Sequence, residues 1–221
     1  MSTLDSPAVS DLLKGLFAEA DRADPAAMAR AQTALAKLGE APSARHRAEL
    51  MRNIYMPISP DVGRLLYILA RSRPAKVMVE FGASFGISGI HLAAAARDAG
   101  GGRLITTELD GVKAEQAARN FRASGLSDFI DLRVGDAFET LKSGLGGSID
   151  LLLLDGWKEA YLPMLKFLEP QLSPSALVVA DDLDIAPDAL APYLAYVRNP
   201  DNGYVSVEVP LGDRIELSQR A

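Results

Sequence analysis

The sequence predicts an α/β fold: a doubly wound, mostly parallel sheet with an antiparallel edge at its C-terminal end, preceded by N-terminal helices. Three observations predict it. Beyond Pro74, short apolar runs alternate with segments of helical periodicity, which is the pattern of parallel strands covered by helices on both faces. Before Pro74, Ala and Leu recur at helical spacing. In the tail, YVSVEV and PLGDRIELS read as two strands joined at Pro210 to Asp213.

Taken in order, Ser6 to about Gly39 carries LLKGLFAEA and AMARAQTALAKLG, with Pro25 placed to open a second helix after Asp24, so a helical hairpin is expected. A loop at Ala41 to Ala44 and a helical stretch Arg45–Arg52 follow. The two prolines of Tyr55-Met56-Pro57-Ile58-Ser59-Pro60 make that segment an extended connector, and its place ahead of the sheet marks it as a lid. Helical periodicity resumes over Asp61–Arg71. The expected strands are Lys76–Phe81, Arg103–Glu108, Ile130–Val134, Asp150–Leu154 and Ala176–Ala180. Between them lie helices Ser88–Ala99, Gly111–Ala123, Ala137–Lys142 and Tyr161–Glu169. The division that results is a helical appendage and lid over 1–60 and a ligand-binding domain over 61–221.

Composition excludes several classes. The 221 residues are 48% hydrophobic and 24% charged, ordinary values for a packed globule. With no cysteine, the chain has no disulfide framework, thiolate zinc site or cysteine nucleophile, which suits a reducing, cytoplasmic setting. A net charge of -6 without a basic stripe disfavours nucleic acid as a partner. No apolar run reaches the roughly 18 residues of a membrane span, and the N-terminus lacks a basic leader.

In an open parallel sheet, ligands bind at the carboxyl ends of the strands where the strand order reverses. The first such end is Glu80-Phe81-Gly82-Ala83-Ser84-Phe85-Gly86-Ile87-Ser88. Glycines at 82 and 86 permit a tight turn against a ligand, and the next helix offers free amides. The spacing is Gly-x-x-x-Gly, not the Gly-x-Gly-x-x-Gly of dinucleotide sites. The second strand ends in Thr107-Glu108-Leu109-Asp110, where Glu108 can accept from two ribose hydroxyls, and the third ends in Gly135-Asp136-Ala137, within reach of an adenine amino group. At the fourth and fifth strand ends stand Asp155-Gly156-Trp157-Lys158 and Asp181-Asp182. Three carboxylates gathered on one edge repel unless protonated or bridged by a cation, and an all-oxygen ligand set points to magnesium, calcium or manganese. His46 and His91 each stand alone and read as surface or packing residues.

The acidic residue two places before Gly82, the Gly-x-x-x-Gly loop, the strand-ending Glu108 and the Gly135-Asp136 pair resemble the Rossmann-like class I S-adenosylmethionine-dependent methyltransferases. Asp155, Trp157-Lys158 and Asp181-Asp182 resemble the catechol O-methyltransferase group within it, over roughly Met78 to Arg198. The resemblance implies that Gly82, Ala83 and Ser84 lie along the methionine part of the cofactor, with Glu80 near its amino group. It implies Glu108 at the ribose, Asp136 and Trp157 near the adenine, and Ser88, Leu109, Ala137 and Asp155 as further cofactor-binding residues. It further implies Asp155, Asp181 and Asp182 as ligands of a divalent metal, magnesium first, with Asp155 and Lys158 catalytic and Lys158 the general base. The sequence departs from the group at Asp182, where the pattern has Asn.

The implied activity is transfer of a methyl group to a hydroxyl of a small phenolic or catecholic molecule. Two alternatives stay open on sequence: a non-catalytic or RNA-directed member of the same fold, and a nicotinamide-dependent oxidoreductase. Apolar helical faces at the N-terminus exceed what a lone hairpin buries, so a homodimer is expected.

Overall fold

The computed structural model describes residues 2–38, 42–73 and 75–221. Three landmarks of the sequence reading, Gly39, Ala41 and Pro74, lie outside the described residues. The chain begins with helices α1 (Pro7–Ala36), α2 (Ala44–Leu50) and α3 (Pro60–Ser72). It continues through β1 (Val77–Phe81), α4 (Ile87–Asp98), β2 (Arg103–Glu108), α5 (Gly111–Ala123), β3 (Ile130–Val134) and α6 (Ala137–Thr140). Last come β4 (Ile149–Leu154), α7 (Tyr161–Leu168), β5 (Leu172–Ala180), α8 (Pro187–Val197), β6 (Tyr204–Val209) and β7 (Ile215–Arg220).

The seven strands lie in the order β3-β2-β1-β4-β5-β7-β6, parallel except for β7, which runs antiparallel to both its neighbours. Central strands such as β1 and β4 are apolar except for Glu80 and Asp150 and largely buried on both faces, as helices on two sides require. One core packs α1, α3, α4 and α5 on the sheet through Leu13, Leu66, Ile90 and Phe121; the other packs α7 and α8 through Leu165, Leu168, Leu190 and Val197. Chain order reverses between β1 and β4, so their carboxyl ends flank the switch point.

Two expectations are corrected. The N-terminal hairpin is one unbroken helix, α1, with Pro25 inside it. Pro25 forfeits one amide donor, but it sits on an exposed turn where water can satisfy the freed carbonyl. The neighbouring Asp24 carboxylate accepts from the amides of Tyr55 and Met56 at 2.8 and 2.9 Å, tying the helix to the connector at this point. Strand β5 starts four residues earlier than expected. Pro174 lies within it, and a register shift opposite Ile149–Leu151, with Ser175 at φ +62°, absorbs the break. The other boundaries fall within two residues of expectation, and local chemistry sets them. Ser59 caps α3 by accepting from Val62, with Pro60 at the first helical position, and Asp110 caps α5 by accepting from Val112 and Lys113.

Candidate functional site

Strand register brings the site together. Phe81 pairs with Leu154, and Leu154 with Ala180, so the residues that follow each strand, Gly82, Asp155 and Asp181, emerge side by side. The amide of Asp155 donates to the Phe81 carbonyl and that of Asp181 to the Leu154 carbonyl, both at 3.0 Å. The glycine turn needs this closeness. Gly82 has φ +105°, and a side chain there would put a Cβ 2.5 Å from the Asp155 carbonyl oxygen, so any other residue would force the backbone to shift.

The loop that follows is held by its own amides. Gly82 and Ala83 donate to the Thr107 carbonyl, and Ser84, at φ +46°, donates to a Glu108 carboxylate oxygen at 2.8 Å. The other Glu108 oxygen accepts from the Asp110 amide at 2.9 Å. Burial pushes the Glu108 carboxyl upward, against these amides and the Lys113 charge. Above the loop, Ser84 Oγ donates to the Tyr55 carbonyl at 2.6 Å, and the Tyr55 ring stacks on Phe85 with centroids 4.1 Å apart. Between connector and loop lies a narrow crevice, lined by Tyr55, Met56, Ala83, Ser84, Ser88 and Asp155 among others.

Glu80 is fully buried on β1. One oxygen accepts from Thr106 Oγ1, and the other, Oε1, has no partner. Burial pushes its carboxyl up to about 7, against the nearby Ser88 and Thr106 hydroxyls and with the Glu108 charge adding to the rise. A buried oxygen left without a donor is costly. It fits a ligand bearing an ammonium group.

Asp155, Asp181 and Asp182 each offer a carboxylate oxygen within 4.8 Å of the others. Desolvation, then the charges of Asp181 and Asp182, push the Asp155 carboxyl well above its usual range. Burial and the Asp182 charge push Asp181 up to about 7. Asp181 Oδ1 is buried without a partner. These features fit a hard divalent cation, which would satisfy the orphan oxygen and relieve the repulsion. Lys158 is buried beside them and donates to Asp182 Oδ2 at 2.9 Å and to Tyr161 Oη at 2.7 Å. Tyr161 donates in turn to the Asp181 carbonyl at 3.1 Å. Burial, then the charges of the three aspartates, hold its phenol well above the usual value, so it remains a donor.

Not every candidate joins this crevice. Of the candidates, Ala83, Ser84, Ser88 and Asp155 line it, whereas Glu80, Gly82, Glu108, Leu109, Asp136, Ala137, Trp157, Lys158, Asp181 and Asp182 lie outside the lining. Asp136 is exposed and caps α6 by accepting from Phe138. Trp157 carries the guanidinium of Arg47 over its ring at 4.4 Å, and Arg47 is also paired with Glu159. His91 is buried and bonded to the Ile87 carbonyl, with burial pushing it down to about 4; it packs against Gly63. Sequence reasoning missed Tyr161, Arg47 and the buried Lys113. Only Lys113 carried a signal, a cation three residues after the Asp110 cap, at the end of a helix that disfavours it.

Comparison with known proteins finds methyltransferases. A family model described as a methyltransferase domain matches residues 79–183. The chain is 33% identical over 147 residues to a catechol O-methyltransferase of Mycobacterium tuberculosis, covering 66% of this chain and 64% of that enzyme, so under two thirds of the relative's length. It is 30% identical over 149 residues to the catechol O-methyltransferase of Sus scrofa, covering 65% of this chain and 78% of that one. Among solved structures, a cofactor-bound protein from MTB superposes with a TM-score of 0.70 at 24% identity, over 84% of this chain and 93% of that one. None of the described helices is long and apolar enough to cross a membrane.

Proposed function

This chain belongs to the class I S-adenosylmethionine-dependent O-methyltransferases of the catechol O-methyltransferase type, and from that premise we propose that it methylates a hydroxyl of a small phenolic or catecholic molecule with help from a divalent cation, magnesium first. The observation that carries this reading is the convergence of Asp155, Asp181 and Asp182 beside the Gly82 turn. In it, residues 1–60 act as appendage and lid, residues 61–221 bind the cofactor, and the working form is a cytoplasmic homodimer.

Glu80 Oε1 would receive the cofactor's ammonium, Ser84 and Ser88 would line its methionine part, and Glu108 has lone pairs left for ribose hydroxyls beyond the two amides it accepts. Asp155, Asp181 and Asp182 would hold the cation. When bound, the sulfonium supplies the methyl group and the cation draws charge from the acceptor hydroxyl. Lys158 Nζ, as the free amine with a lone pair left over, would take the proton of the acceptor hydroxyl. Tyr161 and Asp182 fix that amine on two sides. The connector Tyr55–Pro60 keeps water from the cleft, and alignment of the two reactants supplies the larger share of the rate, roughly 7–11 kcal/mol for well-oriented partners.

The test is transfer of labelled methyl from S-adenosylmethionine to a panel of catechols and phenols. Transfer is expected with magnesium or manganese, lost in EDTA and restored by excess metal. Undiminished transfer in EDTA would overturn the metal role. Tight cofactor binding with no transfer to any acceptor would favour the non-catalytic alternative.

A further inference from the structure

Lys113 is a buried charge for which the proposed reaction has no use. It is 4% exposed and occupies the first turn of α5, just after the Asp110 cap. A helix start is positive and a dry site penalises charge, so a cation there is held at a cost on both counts. Burial pushes the amine's pKa down, opposed by the charges of Glu108, Asp24, Asp110 and Asp155. An ammonium has three hydrogens to donate. Among the described residues this one makes a single hydrogen bond, to Ser84 Oγ at 3.1 Å, and no ion pair. Three of the four acids also accept elsewhere, Glu108 from the amides of Ser84 and Asp110, Asp110 from the amides of Val112 and Lys113 and from Arg52, and Asp24 from the connector. Ser84, the residue that receives the lysine, lines the crevice under Tyr55.

We propose that Lys113 is a further cofactor-binding residue, whose ammonium receives the α-carboxylate of the methionine moiety while Glu80 receives its α-ammonium. The proposal rests on the methyl-donor reading above. The carboxylate is the one anionic group that S-adenosylmethionine carries. Glu80 carries an unpaired oxygen on β1, and Lys113 on α5 reaches Ser84, which lines the crevice, with hydrogens unused. A zwitterion is thus met by opposite charges, and each otherwise unfavourable burial gains a partner. Nearby acids, the Ser84 hydroxyl and the Phe85 ring, 5.6 Å from the ammonium, offset part of the cost of burying a lysine at a helix start, and two of its hydrogens are left to a ligand.

The experiment is calorimetric titration of the full chain with S-adenosylhomocysteine and with the same nucleoside lacking the carboxylate, its decarboxylated thioether. Wild type is expected to prefer the carboxylated ligand by roughly tenfold or more, and Lys113→Met to lose that preference while binding the decarboxylated ligand within about twofold of wild type. Equal losses for both ligands in Lys113→Met would mean that the lysine only props the loop, and no loss for either would mean that it touches no ligand; each overturns the proposal. If Lys113→Met fails to fold, wild type still decides: equal affinity for the two nucleosides overturns it. Wild type that binds neither nucleoside sinks the methyl-donor reading itself, an outcome distinct from the other three.

Discussion

The two halves of the sheet's carboxyl edge treat their acids in opposite ways. On the β1–β2 side, Glu108 spends both oxygens on backbone amides, and Asp110 divides its own between two amides and Arg52. On the β4–β5 side, three carboxylates crowd within 4.8 Å, Asp181 Oδ1 has no donor, and Lys158 answers only Asp182. The first half is a cradle shaped by backbone, nearly complete in itself. The second is a concentration of negative charge that needs a positive partner. Glu80, with one satisfied and one orphan oxygen, sits on the strand between them and shares both characters.

The largest effect should come from the charged half. Asp155→Ala and Asp181→Ala are each expected to lower kcat/KM by roughly 10²-fold or more, as loss of a cation's several kcal/mol would require, while S-adenosylhomocysteine binding stays within a few fold. Removing one of three repelling acids should not lower the melting temperature of the metal-free protein. Cofactor affinity that collapses along with turnover would erase the distinction between the halves.

The cradle should instead be sensitive to shape. Gly82→Ala puts a Cβ against a backbone oxygen at a φ that L residues avoid, so about 1–3 kcal/mol of strain is expected, or roughly 2–12 °C in Tm for a chain of this size. Gly111→Ala, in open space at the start of α5, should change little or stabilise slightly. Equal melting of both variants would show that the turn does not depend on the close approach to Asp155.

A pH titration separates Glu80 from its better-satisfied neighbours. Unfolded, its carboxyl loses its proton near 4.5; folded, it holds the proton to about 7. The ligand-free folded state therefore binds the extra proton, and this group's contribution to stability falls as pH rises from 4.5 through 7, then levels off. A cofactor ammonium favours the ionised form. Affinity for S-adenosylhomocysteine should therefore rise with pH up to about 7, by at most about tenfold per unit, with proton release visible as a buffer-dependent binding enthalpy. An affinity flat from pH 5.5 to 8 would remove Glu80 from the ammonium site.

Most of this was legible because the signals are local. Alternating apolar runs located every strand, and the types of residue at five strand ends carried the cofactor and metal readings. What escaped depends on contacts distant in sequence. Arg47 over Trp157 and Asp24 under the Tyr55 amide join elements that no spacing rule connects. Tyr161 reads as an ordinary helix residue until the β5 register brings Asp181 above it. Pro25 and Pro174 misled for a shared reason. Each is a local breaker, and in each case the surrounding packing over-determined the element, through α1 docking on the core and through the β5 bulge.

The smallest effect, expected from Pro25→Ala, tests whether that packing serves either half of the site. Restoring the missing amide donor should stabilise α1 by about 1 kcal/mol net, or roughly 2–4 °C in Tm, because the helix is already formed and only one exposed hydrogen bond is regained. Asp24 would keep its hold on the Tyr55 and Met56 amides, so S-adenosylhomocysteine affinity and metal dependence should both stay at wild-type values. A lower Tm, or weaker cofactor binding with unchanged metal response, would carry a different meaning. The local distortion at Pro25 would then be what aims Asp24 at the connector, and α1 would count as part of the backbone cradle and not as an independent buttress.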